Sequence, residues 1–296
     1  MIKKKSIINN FNKDNFYIFF GLGLLAILNF SNTFSIRIKT SIFIILLILF
    51  IYIYRKREKE LNISFSFNNL FILLGGLILL IVTQNTYLNY ETISIDVPSY
   101  LVASQDIGFS ELPYEKQWES KGPLFMYMYK VLSVLSMKNL VIFKLLNDFL
   151  LFGISILIYK ISLIKSQNTL TSIFSSVFFI SITSHAWYVT ELSEIYCLLF
   201  ITYQYYLITK YGLNKKTILL SSFLISLSSL VNQASVIFLI ALVFLVFFDK
   251  ELRSKLNNYL YLGIGFLTPH IFFIVLYSIN KLLNVYFTNY IKIPFG

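Results

Sequence analysis

Ala234-Ser-Val-Ile-Phe-Leu-Ile-Ala-Leu-Val-Phe-Leu-Val-Phe-Phe248 contains no charge, and it stops at the charged turn Asp249-Lys-Glu-Leu-Arg253. A helix that is apolar on every side has no face to offer water, so it must lie in a large core or in a bilayer. Working outward, apolar runs of roughly 15–21 residues recur along the chain, close to the ~20 that span a hydrocarbon core. They fall at 16–32, 40–54, 69–85, 140–159, 170–188, 194–210, 217–231, 234–248 and 259–278. Of the 296 residues, 57% are hydrophobic and only 13% are charged. Soluble domains have about 45–50% apolar and about 25% charged residues. A soluble globular enzyme is therefore excluded, and so is a disordered chain. The reading is an all-α, polytopic transmembrane bundle of about nine spans, with residues 1–296 forming one integral membrane domain.

The net charge of +11 would suggest a nucleic-acid partner in a soluble protein. Here its distribution speaks of topology, and no nucleic-acid partner is expected. Lys3, Lys4, Lys5 and Lys13 precede the first run, and Arg55, Lys56, Arg57 and Lys59 follow the second. Lys160 and Lys165 follow the fourth, Lys210, Lys215 and Lys216 the sixth, and Lys250, Arg253 and Lys255 the eighth. These sixteen residues share one side if the runs alternate in direction and if the apolar helix expected over 123–138 does not cross. By the positive-inside rule that side, with the N-terminus, is cytoplasmic. Residues 86–138 then lie outside as a long loop, 86–122, with little helical period, followed by an interfacial helix. The aromatic residues Phe125, Tyr127 and Tyr129 suggest its membrane-facing side. Arg37 and Lys39 run against the rule. Eight of the fourteen acids (Glu91, Asp96, Asp106, Glu111, Glu115, Glu119, Glu191 and Glu194) gather on the outer side. Cys197 stands alone, so neither a disulfide framework nor a thiol metal site is expected.

The outer loop reads Ser94-Ile-Asp-Val-Pro-Ser-Tyr-Leu-Val-Ala-Ser-Gln-Asp-Ile-Gly108, then Leu112-Pro-Tyr-Glu-Lys-Gln-Trp-Glu-Ser-Lys-Gly-Pro-Leu124. This resembles the first outer loop of the GT-C superfamily of membrane glycosyltransferases. The likeness is to the protein-mannosyltransferase and aminoarabinose-transferase-like group. The matching positions are Asp96, Tyr100, Ala103, Gly108, Pro113, Tyr114 and Lys121-Gly122-Pro123-Leu124. Lys144 matches a later basic residue, and Thr190-Glu191 a later outer element. The specific part covers roughly residues 90–150. Many members carry two adjacent acids where Asp96 is followed by Val97. Members are also longer, so a short or truncated member is expected.

The resemblance implies transfer of a sugar from a polyprenyl-phosphate donor to a glycan, lipid or protein acceptor at the outer face. The implied setting is a bacterial inner or plasma membrane, with membrane lipid as a further partner. Asp96 is the candidate base for the acceptor hydroxyl. Tyr100 is a candidate substrate contact within the same motif. Lys121 and Lys144 are candidates to neutralise the departing lipid phosphate. Each has a second reading: Lys121 as a snorkelling side chain, Lys144 as a snorkeller or as the helical partner of Asp148 four residues on. Asp106 is a second candidate loop carboxylate. Glu191 either orients the acceptor or caps a helix, and His185 is either a phosphate contact or an interface histidine. No cofactor is demanded. A divalent metal is conceivable on the oxygen ligands of Asp96, Asp106 and Glu191. No phosphate-binding glycine loop or soluble nucleotide-binding region occurs, which argues against a nucleotide-sugar donor.

Two other classes compete with the enzyme: a transporter or flippase coupled through Lys144 and Asp148, and a non-catalytic descendant of the GT-C fold. The charge pattern makes a direct prediction. A reporter fused after residue 138 gives an outer-side signal; a cytoplasmic signal there overturns the parity argument.

Overall fold

A computed structural model describes residues 96–108, 111–116, 119–183, 192–253 and 256–295. The runs at 16–32, 40–54 and 69–85 lie outside the described residues. Among those described, the chain is almost wholly helical and contains no strand. The main helices are α1 (Asp96–Gln105), α2 (Pro123–Leu135), α3 (Leu140–Ser166), α4 (Thr169–Thr183), α5 (Ser193–Tyr211) and α6 (Lys215–Val231). A 3-10 turn, Gln233–Val236, leads into α7 (Ile237–Phe248), followed by the short α8 (Lys250–Arg253) and α9 (Leu256–Ile279). Short helical turns over 283–295 follow.

Local chemistry explains where these helices begin and end. The Asn139 side chain accepts hydrogen bonds from the amides of Val141 and Ile142, which caps α3. Gln167 closes α3 in the left-handed region, at φ 52°. A capping box between Asn214 and Thr217 opens α6. Two helices, α3 and α9, are long and apolar enough to cross a membrane. At 1.5 Å per residue their 27 and 24 residues exceed the ~30 Å of a hydrocarbon core. The shorter α4, α5, α6 and α7 overlap the other apolar runs expected over 170–248.

Packing sets the direction of the helices. α3 packs on α4 and α5, α5 on α6, and α6 on α9. The beginnings of α3 and α5 meet the end of α6 in one cluster, through Phe143, Tyr196, Cys197 and Val231, where Tyr100, Phe125 and Tyr129 join them. The end of α9 joins the same end of the bundle through Phe273 and Tyr277, packed with Leu112, Tyr114 and Leu230. The chain therefore enters and leaves α2 at one end of the bundle. That end carries Asp96, Asp106, Glu111, Glu115, Glu119 and Glu194. Lys160, Lys165, Lys210, Lys215 and Lys216 lie toward the other, at the end of α3 and the turn between α5 and α6.

Two expectations are corrected. Residues 86–122 are not without helix, because α1 occupies Asp96–Gln105. Its buried positions Val97, Tyr100 and Ser104 follow helical spacing, hidden in the sequence by polar neighbours. Nor do Phe125, Tyr127 and Tyr129 make one membrane-facing side. Residues two apart point to different sides of a helix. Phe125 and Tyr129, four apart, are buried in the protein core. Tyr127 turns instead toward Phe273, with ring centroids 6.2 Å apart. The apolar residues of α2 that stay exposed are Val131, Val134 and Leu135, at its far end.

α6 and α9 approach each other closely at Gly265. A Cβ on Gly265 would stand 2.4 Å from the Leu219 carbonyl oxygen and 2.0 Å from Ser222 Oγ. The small buried serines of α6 (Ser221, Ser222, Ser226 and Ser229) leave room for this contact. Gly265→Ala must push the helices apart and costs about 1–3 kcal/mol. A clear drop in Tm of the detergent-purified protein is the expected result; an unchanged Tm would contradict the close contact.

Candidate functional site

The segment before α2 is held from three sides. The Gly122 amide donates to the carbonyl of Val231, the last residue of α6, at 2.9 Å. A Cβ on Gly122 would lie 1.9 Å from the Leu230 carbonyl oxygen, so glycine is required by space. Its own φ of −66° suits any residue. Pro123 then opens α2, where its missing amide costs nothing. Next to it, the buried Gln233 side chain donates to the Ser120 carbonyl at 2.8 Å and to the Tyr290 carbonyl at 3.1 Å. Tyr290 in turn donates to the Ser229 carbonyl at 2.9 Å.

Pro113 and Tyr114 form the second hold. The Tyr114 hydroxyl donates to the Lys121 carbonyl. Tyr114 sits at φ 72°, a conformation a bulky residue adopts only when its surroundings enforce it. Its ring stacks on Tyr277 at 6.3 Å, and the Tyr277 hydroxyl donates to the Pro113 carbonyl at 2.8 Å. Burial, then the neighbouring tyrosines and Glu119, holds the Tyr114 hydroxyl well above its ordinary pKa. It therefore remains a donor at any physiological pH.

Around this clamp the charged groups assemble. Lys121 Nζ lies 3.7 Å from Glu194 Oε1, the first acid of α5. Asn232 Nδ2 donates to Glu194 Oε1 and to Ser193 Oγ, each at 3.2 Å. Glu119 Oε1 accepts from the amides of Ser120 and Lys121, which fixes the turn that presents Lys121. Asp96 is exposed in the first turn of α1, where a carboxylate suits the positive end of the helix dipole. Tyr100, one turn on, is only 4% exposed. Its ring meets Phe125 edge-on at 4.9 Å and Tyr129 at 5.7 Å. Burial raises the pKa of its hydroxyl, and the negative charges of Glu119, Asp96 and Glu194 raise it further. Three carboxylates from three segments thus act on one phenol.

The expected site residues divide accordingly. Asp96, Tyr100 and Lys121 belong to this end of the bundle, with Tyr100 serving as core as well. Asp106 lies past the far end of α1, and a ten-residue helix is about 15 Å long, so it is separated from Asp96. Its charge acts instead on Lys116, whose ammonium donates to Glu111 Oε1 at 2.6 Å and is held above its ordinary pKa chiefly by that bond. Asp106, Glu111, Lys116 and Glu119 share a shallow cavity with Tyr114 and Met126. A metal held jointly by Asp96 and Asp106 is therefore not supported, and no cluster of three metal-ligating side chains occurs among the described residues. Lys144 does not snorkel to water: it is 2% exposed on the inner face of α3, with Asp148 at 0% one turn on. Between them in sequence, Asn147 accepts from the Tyr196 hydroxyl and donates to the Phe143 carbonyl. Glu191 and His185 lie outside the described residues.

Sequence reasoning missed Asn232 and Gln233 as site-building residues. Their signal was present: an amide pair that separates the apolar runs 217–231 and 234–248. It also missed that Glu194, noted only as an outer acid, meets Lys121. Searched against known proteins, the chain matches no family model, no curated protein and no solved structure. The GT-C likeness therefore rests on its own residues.

Gly122→Ala tests the clamp. The added methyl cannot coexist with the Leu230 carbonyl, so the segment must lift, at about 1–3 kcal/mol. Trypsin is expected to cut after Lys121 several-fold faster, with a lowered Tm. Unchanged cleavage would mean that the hold lies elsewhere.

Proposed function

We propose that the chain is a polytopic integral membrane protein of about nine spans that transfers a sugar from a polyprenyl-phosphate donor to an acceptor. The acceptor would be a glycan, lipid or protein at the outer face, in a bacterial inner or plasma membrane. The observation that carries the reading is that Lys121, held by Glu194 at 3.7 Å, and the exposed Asp96 lie at the same end of an apolar helical bundle. Asp96, Tyr100 and Lys121 all belong to the motif on which the GT-C resemblance rests. Two membrane-length helices and the charge difference between the two ends support the spanning arrangement. In this reading the end with Asp96 faces outward.

The chemistry needs a base, a cation and a dry wall. Asp96 is exposed and so open to an acceptor hydroxyl from water. As the glycosidic bond forms, its carboxylate takes the hydroxyl proton and the carbon–phosphate-oxygen bond breaks. The polyprenyl phosphate leaves with the bonding electrons. Lys121 is held by Glu194 at 3.7 Å, long enough for a phosphate dianion to compete for the ammonium. Glu194 then keeps Lys121 oriented before the donor arrives. The exposed apolar end of α2 (Val131, Val134 and Leu135) offers the polyprenyl chain a surface beside the site. Lys144 is buried, so a donor-phosphate role would require the phosphate to reach into the bundle.

A transporter is the second reading. It is favoured by one observation, the buried Lys144 and Asp148 one turn apart on a helix of membrane length. The experiment separates the two. Membranes containing the protein are supplied with radiolabelled polyprenyl-phosphate sugar, and glycan, lipid and protein fractions are counted. Asp96→Asn is expected to lower transfer at least about 100-fold with unchanged expression and Tm. Equal transfer by the variant removes Asp96 as the base. No transfer by the wild type, with label moved across sealed vesicles, favours the transporter.

A further inference from the structure

At the end of the bundle opposite Asp96, two lysines from different helices meet over one aromatic ring. Lys160 Nζ, from α3, lies 6.0 Å from the centre of the Tyr206 ring, and Lys210 Nζ, from α5, lies 5.6 Å from it. Lys210 also stands 4.9 Å over the Tyr211 ring. We infer that this end holds an anionic phospholipid headgroup between Lys160 and Lys210, seated on Tyr206. The inference rests on the membrane-spanning part of the proposed function, not on sugar transfer.

The charge pattern favours an anion. Bringing two ammonium groups to one ring is repulsive unless something negative is near them. Among the described residues, the helices that build this end supply no acid beside them. No acid occurs between Asp148 and Glu191, nor between Glu194 and Asp249. The helices that build this end (α3, α4, α5 and α6) therefore bring it only lysines, with Lys165, Lys215 and Lys216 adding to Lys160 and Lys210. The next acids after α6, Asp249 and Glu251, follow α7. Of these, Asp249 spends Oδ1 on the amides of Glu251 and Leu252.

The surroundings favour a lipid over a free anion. Lys160 and Lys210 are exposed, so their ammonium groups are open to a ligand. Tyr203, Tyr205 and Tyr211 are 42%, 47% and 56% exposed beside them. Exposed tyrosines on a membrane helix mark headgroup level, where the ring faces acyl chain and the hydroxyl faces water. Basic sites between helices on the cytoplasmic side suit anionic headgroups, with each lysine contributing about 1 kcal/mol. A phosphodiester would accept from both ammonium groups while its acyl chains lie along the apolar surface of α3 and α5.

The test places the full chain in nanodiscs of phosphatidylcholine doped with phosphatidylglycerol. The anionic lipid retained on the protein is then counted by native mass spectrometry. Lys160→Gln/Lys210→Gln is expected to lower retention roughly tenfold or more. Lys160→Arg/Lys210→Arg and the control Lys215→Gln/Lys216→Gln are expected to retain it. Equal retention by the first variant overturns the site, and so does an equal loss in the control, which would mean diffuse attraction only. Displacement of the lipid by millimolar inorganic phosphate would overturn the lipid as ligand in favour of a free anion. If the double Gln variant does not fold, Lys210→Gln alone, on an exposed side chain, is expected to lose several-fold; no loss there overturns the inference. A chain that stays soluble and folded without any bilayer would instead remove the membrane reading.

Discussion

Where α6 stops at Val231, its last carbonyls need donors from outside the helix. The Gly122 amide meets one of them, and much of the candidate site follows from that single bond. Because glycine brings no Cβ, the segment 119–123 can press against the end of α6. That contact puts Lys121 next to Glu194 and seats Pro123 at the start of α2. It also leaves Tyr114 room to fold back in a strained conformation and bond the Lys121 carbonyl. Gln233 adds two more donors to the carbonyls that the turn exposes. The clamp is thus a solution to unpaired backbone groups, and the charged residues are placed as a consequence.

The two ends of the bundle solve different electrostatic problems. At the Asp96 end, acids and lysines come from short segments that fold onto the bundle, so opposite charges meet and are partly neutralised. At the other end the described helices α3 to α6 supply lysines alone. Between the ends lie apolar helices with small buried serines on α6, which allow α9 to approach closely. Ser229 Oγ and His270 Nε2 stand 3.0 Å apart, whereas the buried hydroxyls of Ser221 and Ser226 find no hydrogen-bond partner among the described residues.

Much of the helix pattern was legible in residue order. The runs from 140 onward appear as helices because each is long, apolar and bounded by Asn, Gly or charged residues that cap or stop it. The loop was less legible. Val97, Tyr100 and Ser104 keep helical spacing, but polar neighbours such as Ser99 and Gln105 hide it, so α1 was not foreseen. The motif residues Pro113, Tyr114 and Lys121-Gly122-Pro123 were recognisable as a set, yet nothing in their order said that they hold one another. Asp106 looked equivalent to Asp96 because both are loop acids. Ten residues of helix set them apart.

By itself, then, the sequence determined that this chain is helical and apolar, and that its acids and lysines cluster in separate stretches. Those properties depend on composition and on spacing within a turn or two, which local chemistry decides. Only the tertiary structure decided which charges meet. Lys121 and Glu194 are separated by the whole of α2, α3 and α4, and Gly122 and Val231 by α5 and α6 as well. Their approach depends on how helices of particular length pack and where each ends, and no local pattern encodes it. The same holds for Lys144, whose position near a helix start suggested access to water until the packing of α2 and α5 over α3 placed it inside.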